Sequence, residues 1–158
     1  MLQRQIINGL ILVFGLITLS ACDSNDEDPE INDPPFQVVA DADYTETATG
    51  LKYFDLVTGT GDVATVGDTL SVEYTGWLQN GFIFDTSVYL PRPPFSVIIG
   101  TSPLIEGWTE GLQGMQEGGQ RQLVIPPSLG YGTRGQGAIP PNAVMIFEVE
   151  VVSLRKAG

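Results

Sequence analysis

Residues 144–154 (VMIFEVEVVSL) set Met145, Phe147, Val149 and Val151 on one side of an extended chain and Ile146, Glu148 and Glu150 on the other. Side chains alternate along a strand with a period of two, so this run has one face that must be covered. The chain must therefore build a sheet with something packed on it. Runs of similar character lie at 51–57, 69–78 (TLSVEYTGWL), 82–85, 95–99 and 120–125. Thr58-Gly59-Thr60-Gly61 closes the first, and Asn80-Gly81 is a tight-turn signal between the second and third. Pro91, Pro93 and Pro94 force a loop because proline cannot donate to a ladder, and Pro126-Pro127 stops the run at 120–125. Only 104–113 has helical spacing, through Ile105, Trp108, Leu112 and Met115. Gly107, Gly111 and Gly114 limit its length. With nineteen Gly and eleven Pro, the expected fold is α+β, an antiparallel sheet of about five strands wrapped around one short helix.

What the chain lacks narrows its chemistry. It has no His, which removes Ser-His and Cys-His catalysis and imidazole metal ligands. Its single Cys, Cys22, allows neither an intrachain disulfide nor a Cys-rich zinc site. A net charge of -12 excludes a nucleic-acid partner, which needs clustered Lys and Arg. Gly130-Tyr131-Gly132-Thr133-Arg134-Gly135 fits the letters of a dinucleotide fingerprint. Prolines flank it on both sides, so the glycines open no helix and make a loop instead. No Lys-Ser or Lys-Thr follows a Gly-rich stretch, and the carboxylates of the domain are scattered, so no cofactor or metal is expected.

The first residues read as an address. Arg4 gives a short positive region, and the apolar run 6–19 would reach about 21 Å as a helix, short of the roughly 30 Å hydrocarbon core. It meets Leu19-Ser20-Ala21-Cys22, which resembles the lipobox of bacterial lipoproteins. That resemblance implies a signal peptide at 1–21 and a lipid on the Cys22 thiol, with stable attachment because several acyl chains share one residue. An ordinary secretory signal or an uncleaved anchor is the alternative. Nine of the nineteen acids fall at 23–46, among Pro29, Pro34 and Pro35. Such a segment buries too little apolar surface to offset its ordering entropy, so 22–46 is expected to be a flexible acidic tether and 47–158 the domain.

Within the domain, Val72-Glu73-Tyr74-Thr75-Gly76-Trp77 and Asn80-Gly81-Phe82-Ile83-Phe84-Asp85-Thr86-Ser87 resemble the FKBP-type peptidyl-prolyl isomerases. So do Phe95-Ser96-Val97-Ile98-Ile99-Gly100, Ile105-Glu106-Gly107-Trp108-Thr109-Glu110-Gly111-Leu112 and Gly118-Gly119-Gln120-Arg121. Ile125-Pro126-Pro127, Leu129-Gly130-Tyr131-Gly132, Ile139-Pro140-Pro141-Asn142-Ala143 and Phe147-Glu148-Val149-Glu150 complete the series over about residues 50–155. Each piece alone is weak; all of them in order are specific.

The resemblance implies an FKBP-like fold with a proline pocket between sheet and helix, and no cofactor. Trp108 would form its floor and Tyr74, Phe84, Phe95 and Phe147 its walls. Leu104 and Ile105 would stand at the rim, and Ile139 would close the pocket from a flap at 132–138. Asp85 and Tyr131 would be its polar groups, Tyr131 donating to a substrate carbonyl. Val97 stands where many members carry Phe, which would widen one wall and loosen preference before proline. Gln136 stands where others often have His, which bears on selectivity. Each apolar residue taken alone reads equally well as plain core.

The implied activity is cis-trans isomerisation of X-Pro bonds in folding clients, with macrolides of the immunosuppressant type as inhibitors. A monomer, lipid-anchored in a bacterial envelope and facing the periplasm, is expected. Two other classes stay open at this point: a proline-binding scaffold with little turnover, and a surface lipoprotein serving envelope or host contacts.

Overall fold

The computed structural model describes residues 36, 39–88 and 93–158. Cys22, the address at 1–21 and most of 22–46 lie outside the described residues. The strands are β1 (Thr45–Glu46), β2 (Lys52–Val57), β3 (Thr69–Leu78), β4 (Ile83–Thr86), β5 (Phe95–Ile98), β6 (Gln120–Ile125) and β7 (Met145–Arg155), with one helix, α1 (Glu106–Gly111). All strand pairs are antiparallel, in the order β1-β2-β6-β7-β3-β4. β5 pairs with β3 on the same edge as β4: β5 takes Thr69 to Val72, and β4 takes Thr75 to Trp77. Seven strands thus stand where about five are expected, because two short strands share one edge and a two-residue strand is added at the other.

The alternation read in residues 144–154 sets the layering. Met145, Phe147, Val149 and Val151 are buried, as are Leu70 and Val72 of β3 and Leu123 and Ile125 of β6. They pack against Trp108 and Leu112 from the helical segment. Each such side chain, fully buried, stabilises the fold by about 1.5–3 kcal/mol.

α1 is six residues long, shorter than the expected 104–113. Ile105 is still extended as its N-cap (φ -64°, ψ 149°), and Gly114 turns the chain away at φ 77°. A helix this short does not hold in water on its own, so packing must hold it. A Cβ on Gly107 would fall 2.5 Å from Ile125 Cγ2, and one on Gly111 2.6 Å from Leu123 Cδ2. The helix backbone therefore rests directly on β6.

Part of the outer face of the sheet is covered from the N-terminal side. Phe36 meets Trp77 edge-on at 5.7 Å, and Tyr44 meets Phe54 at 6.5 Å. The Tyr44 hydroxyl donates to Gln122 Oε1, and Gln122 Nε2 donates to Glu148 Oε1 at 2.9 Å. Burial first, then the charges of Asp41 and Glu148, push the Tyr44 pKa up. Trp77 and Gln122 are buried as a result. The fold therefore begins before the expected boundary at 47. A tight turn, Thr47 N–H to Leu51 O at 2.9 Å with Gly50 at φ 87°, folds β1 back on β2. The acidic composition of this stretch hides a hairpin that tertiary contacts recruit.

Asp68 ties the turn before β3 to the last residues of the chain. Its carboxylate accepts from Lys156 Nζ (2.6 Å), the Ala157 N–H (2.9 Å), and the Thr65 N–H and hydroxyl (2.8 Å each). Lys156 above all, then the Ala157 amide, hold its pKa far below the usual carboxylate range. A lowered folded-state pKa means that the unfolded chain takes up the proton first. The contribution of Asp68 is complete above about pH 4 and declines as pH falls from there toward its lowered pKa. Urea midpoints taken from about pH 6 down to about pH 2 should fall less steeply in Asp68→Asn than in wild type, from a lower neutral-pH value. Parallel curves would contradict this account.

Candidate active site

A cavity of about 190 Å³ opens between α1 and the concave sheet face. Its aromatic lining comes from elements far apart in the chain: Tyr74 from β3, Phe84 from β4, Phe95 from β5, Trp108 from α1 and Phe147 from β7. The remaining lining residues are Asp85, Pro103, Leu104, Ile105 and Tyr131. Trp108, 4% exposed, stands in contact with three of the rings. Tyr74 lies 5.0 Å from it at 89°, Phe147 5.4 Å at 84° and Phe95 6.3 Å at 70°. Phe84 meets Phe147 at 5.4 Å and 87°. Edge-to-face pairs like these add about 0.5–1.5 kcal/mol each beyond area burial, which helps keep the rings in place around an open space.

Gly76 makes this closeness possible. A Cβ there would stand 2.7 Å from Phe147 Cε1 and 2.8 Å from Phe84 Cζ. The strand can carry the two wall rings at that distance only because residue 76 has no side chain.

Three polar groups interrupt the apolar lining. Tyr74 donates its hydroxyl hydrogen to Asp85 Oδ2 at 2.7 Å, which fixes both on the wall. Tyr131 is half-buried, and among the described residues its hydroxyl has no hydrogen-bond partner. A free hydroxyl at the edge of an apolar cavity is available to a carbonyl brought in by a ligand. An apolar cavity of about 150 Å³ takes up benzene, so this one has room for a five-membered ring. No His or Cys lines it, and the arrangement offers shape, aromatic surface and a few dipoles rather than a nucleophile.

Nine of the eleven residues singled out in the domain meet at the cavity, and two do not. Val97 is 1% exposed and lies in the core, paired with Leu70 across β3 and β5. It shares a face with Phe95 but sits deeper, so its small size does not widen a wall. Ile139 is 8% exposed and also joins the core. Its N–H donates to Gln136 O at 2.8 Å and its O accepts from Gln136 N–H at 2.9 Å, so it ends the flap without lining the cavity. Pro103 lines the rim and is the residue that sequence reasoning missed. Its only signal is a Pro just before the helix start. The Leu104 N–H donates back to Ser102 O at 2.8 Å around it, a tight turn that sets the rim.

Residues 61–152 match the family described as FKBP-type peptidyl-prolyl cis-trans isomerase. An FK506-binding protein of Neisseria meningitidis serogroup A is 48% identical over 101 residues, which cover 63% of this chain and 92% of that protein. A probable FKBP-type peptidyl-prolyl cis-trans isomerase of Haemophilus influenzae is 47% identical over 113 residues, covering 71% of this chain and 46% of that protein. Among solved structures, FkpA from Escherichia coli superposes with a TM-score of 0.67 at 39% identity, over 73% of this chain and 53% of that one. AtFKBP13 superposes with a TM-score of 0.64 at 38% identity, over 70% and 97%.

Proposed function

The chain belongs to the FKBP-type peptidyl-prolyl cis-trans isomerases and is an isomerase of X-Pro bonds; on that premise we propose that its aromatic cavity is where the bond turns, on clients outside the cytoplasm. The observation that carries this reading is the open space itself, walled by Tyr74, Phe84, Phe95 and Phe147 and floored by Trp108.

Rotation about an amide costs roughly 18–20 kcal/mol because resonance is lost at the twisted state. X-Pro bonds prefer trans only slightly yet exchange over tens to hundreds of seconds. No covalent bond forms or breaks, so no acid, base or nucleophile is required. The planar amide is charge-separated and well solvated by water; the twisted amide is less so. A dry ring-lined cavity withdraws that solvation, and binding the twisted form better than the planar one lowers the barrier. Each tenfold in rate needs about 1.4 kcal/mol. The prolyl ring sits on Trp108 between Tyr74, Phe95 and Phe147, and Tyr131 donates to a carbonyl of the peptide. Asp85, held by Tyr74, keeps the wall in place. The Neisseria relatives are called FK506-binding proteins, and the same cavity here accepts macrolides of that kind.

Leu19-Ser20-Ala21-Cys22 supports attachment by lipid on Cys22 to a bacterial envelope membrane, with the isomerase as a monomer on its outer, periplasmic side. Its partners are proline-containing segments of unfolded clients.

One experiment covers both halves of the proposal. Produced in a bacterium fed labelled palmitate, the chain should carry label that Cys22→Ser lacks. Its labelled membrane fraction should speed isomerisation of a prolyl peptide. Tyr131→Phe, which removes one hydrogen bond of about 0.5–1.5 kcal/mol, should slow that activity roughly twofold to tenfold. Equal rates would remove Tyr131 from the site, and absence of label would remove the lipid.

A further inference from the structure

α1 has no side-chain cap at its start and no basic residue in its last turn, yet it carries the floor of the cavity. Its carboxyl end is held by a residue from the sheet. Arg121 of β6, with its side chain only 7% exposed, donates from Nη1 to Gly111 O at 2.9 Å and to Gln113 O at 3.0 Å. Its other edge faces Asp55 of β2: Nε donates to Oδ1 at 2.6 Å and Nη2 to Oδ2 at 3.1 Å. The guanidinium also lies over the Tyr53 ring, 4.5 Å from its centroid.

These contacts use four of the five N–H donors of the planar Arg fork. A carboxylate takes one edge while two carbonyls take the other, that of Gly111 at the negative end of α1 and that of Gln113 just beyond it. Gly111 is three residues after Trp108, less than one helical turn. Fixing the Gly111 carbonyl therefore fixes where the indole is set. The glycines facing β6 let the helix slide close, but a glycine face has no ridges to stop it sliding along the strand. Arg121 supplies the missing stop.

We propose that Arg121, braced by Asp55, is a positioning residue for the isomerisation: it locks the carboxyl end of α1 to β2 and β6 and so sets the depth of Trp108 in the cavity. The inference rests on the cavity being the site of the reaction. It predicts a loss of turnover in a residue that touches no substrate, because a floor displaced by a fraction of an ångström no longer matches the twisted amide.

The test uses the full chain with Trp77→Phe as background, so that Trp108 is the only indole. Arg121→Met, Arg121→Lys and Asp55→Asn are compared with Asp68→Asn, which loosens the link between the 65–68 turn and Lys156–Ala157 and removes no contact of α1 or Arg121. In Arg121→Met, kcat should fall about tenfold with a smaller change in KM, and the Trp108 emission maximum should shift. Arg121→Lys keeps the cation at the helix carbonyls but loses the fork, and should recover part of the rate. Asp55→Asn should lie between wild type and Arg121→Met, and carries the test if Arg121→Met does not fold. Asp68→Asn should lower the denaturation midpoint with kcat and emission unchanged. Wild-type kcat and emission in Arg121→Met, or failing that in Asp55→Asn, would reduce Arg121 to a purely structural role. Full activity in Trp108→Ala would instead overturn the cavity reading beneath it.

Discussion

Replacing Trp108 with Ala should lower kcat/KM on a prolyl peptide by on the order of tenfold to hundredfold, a loss of about 1.4–2.7 kcal/mol of transition-state binding. The indole is the one side chain that the rings of Tyr74, Phe95 and Phe147 all share. Its removal takes away the surface under the prolyl ring and leaves a hole in which those rings lose their common partner. Water then enters the place where dryness is needed. Truncating a buried Trp also costs about 3–5 kcal/mol of stability, against a total of about 5–15 kcal/mol for a domain. The rate must therefore be read well below the variant's own unfolding midpoint. Trp108→Phe keeps an apolar ring and should retain more of both. A Trp108→Ala rate within about twofold of wild type, in folded protein, would make the indole plain core and the cavity incidental.

Gly76→Ala should raise KM and lower the thermal midpoint, although it adds only a methyl group. The new Cβ would stand 2.7 Å from Phe147 Cε1 and 2.8 Å from Phe84 Cζ, closer than such atoms can remain. Phe147 is buried at its back by the core, so relief is toward the cavity. Overpacking costs about 1–3 kcal/mol, of which about 0.4–1 kcal/mol is offset because Ala restricts the unfolded chain more than Gly. Gly76 is not among the glycines at positive φ, so the backbone itself tolerates Ala and the effect isolates the rings. Thermal melts and a KM determination on one peptide check it. An unchanged KM with a raised midpoint would mean that Phe84 and Phe147 yield freely.

The two substitutions mark where reading a linear chain succeeds and where it stops. The strand at 144–154, the turn at Asn80-Gly81 and the glycine-limited helix are written in nearest-neighbour patterns, and each forms there, the strand shifted by one residue and the helix shortened to 106–111. Depth is not written there. Phe95 and Val97 alternate onto the same face of β5, yet Phe95 is 43% exposed at the cavity and Val97 is buried in the core beside Leu70. Periodicity assigns a face and says nothing about distance from a cavity mouth. Ile139 is buried in the core, and its backbone pairs with that of Gln136, a contact with no composition signal.

β1 lay hidden in an acidic stretch because its support is non-local. Tyr44 finds Gln122, 78 residues away, and Phe36 finds Trp77. Arg121 is the same case on the inner side: a lone basic residue in a strand reads as exposed until Asp55 and the helix carbonyls are seen around it.

By itself the order of residues determined the main antiparallel strands, the single short helix and the family, since alternation, turn chemistry and motif spacing act over a few neighbours. Only the tertiary structure decided which apolar side chains stay apart to leave a cavity and which charge holds its floor, because those depend on contacts between segments tens of residues apart.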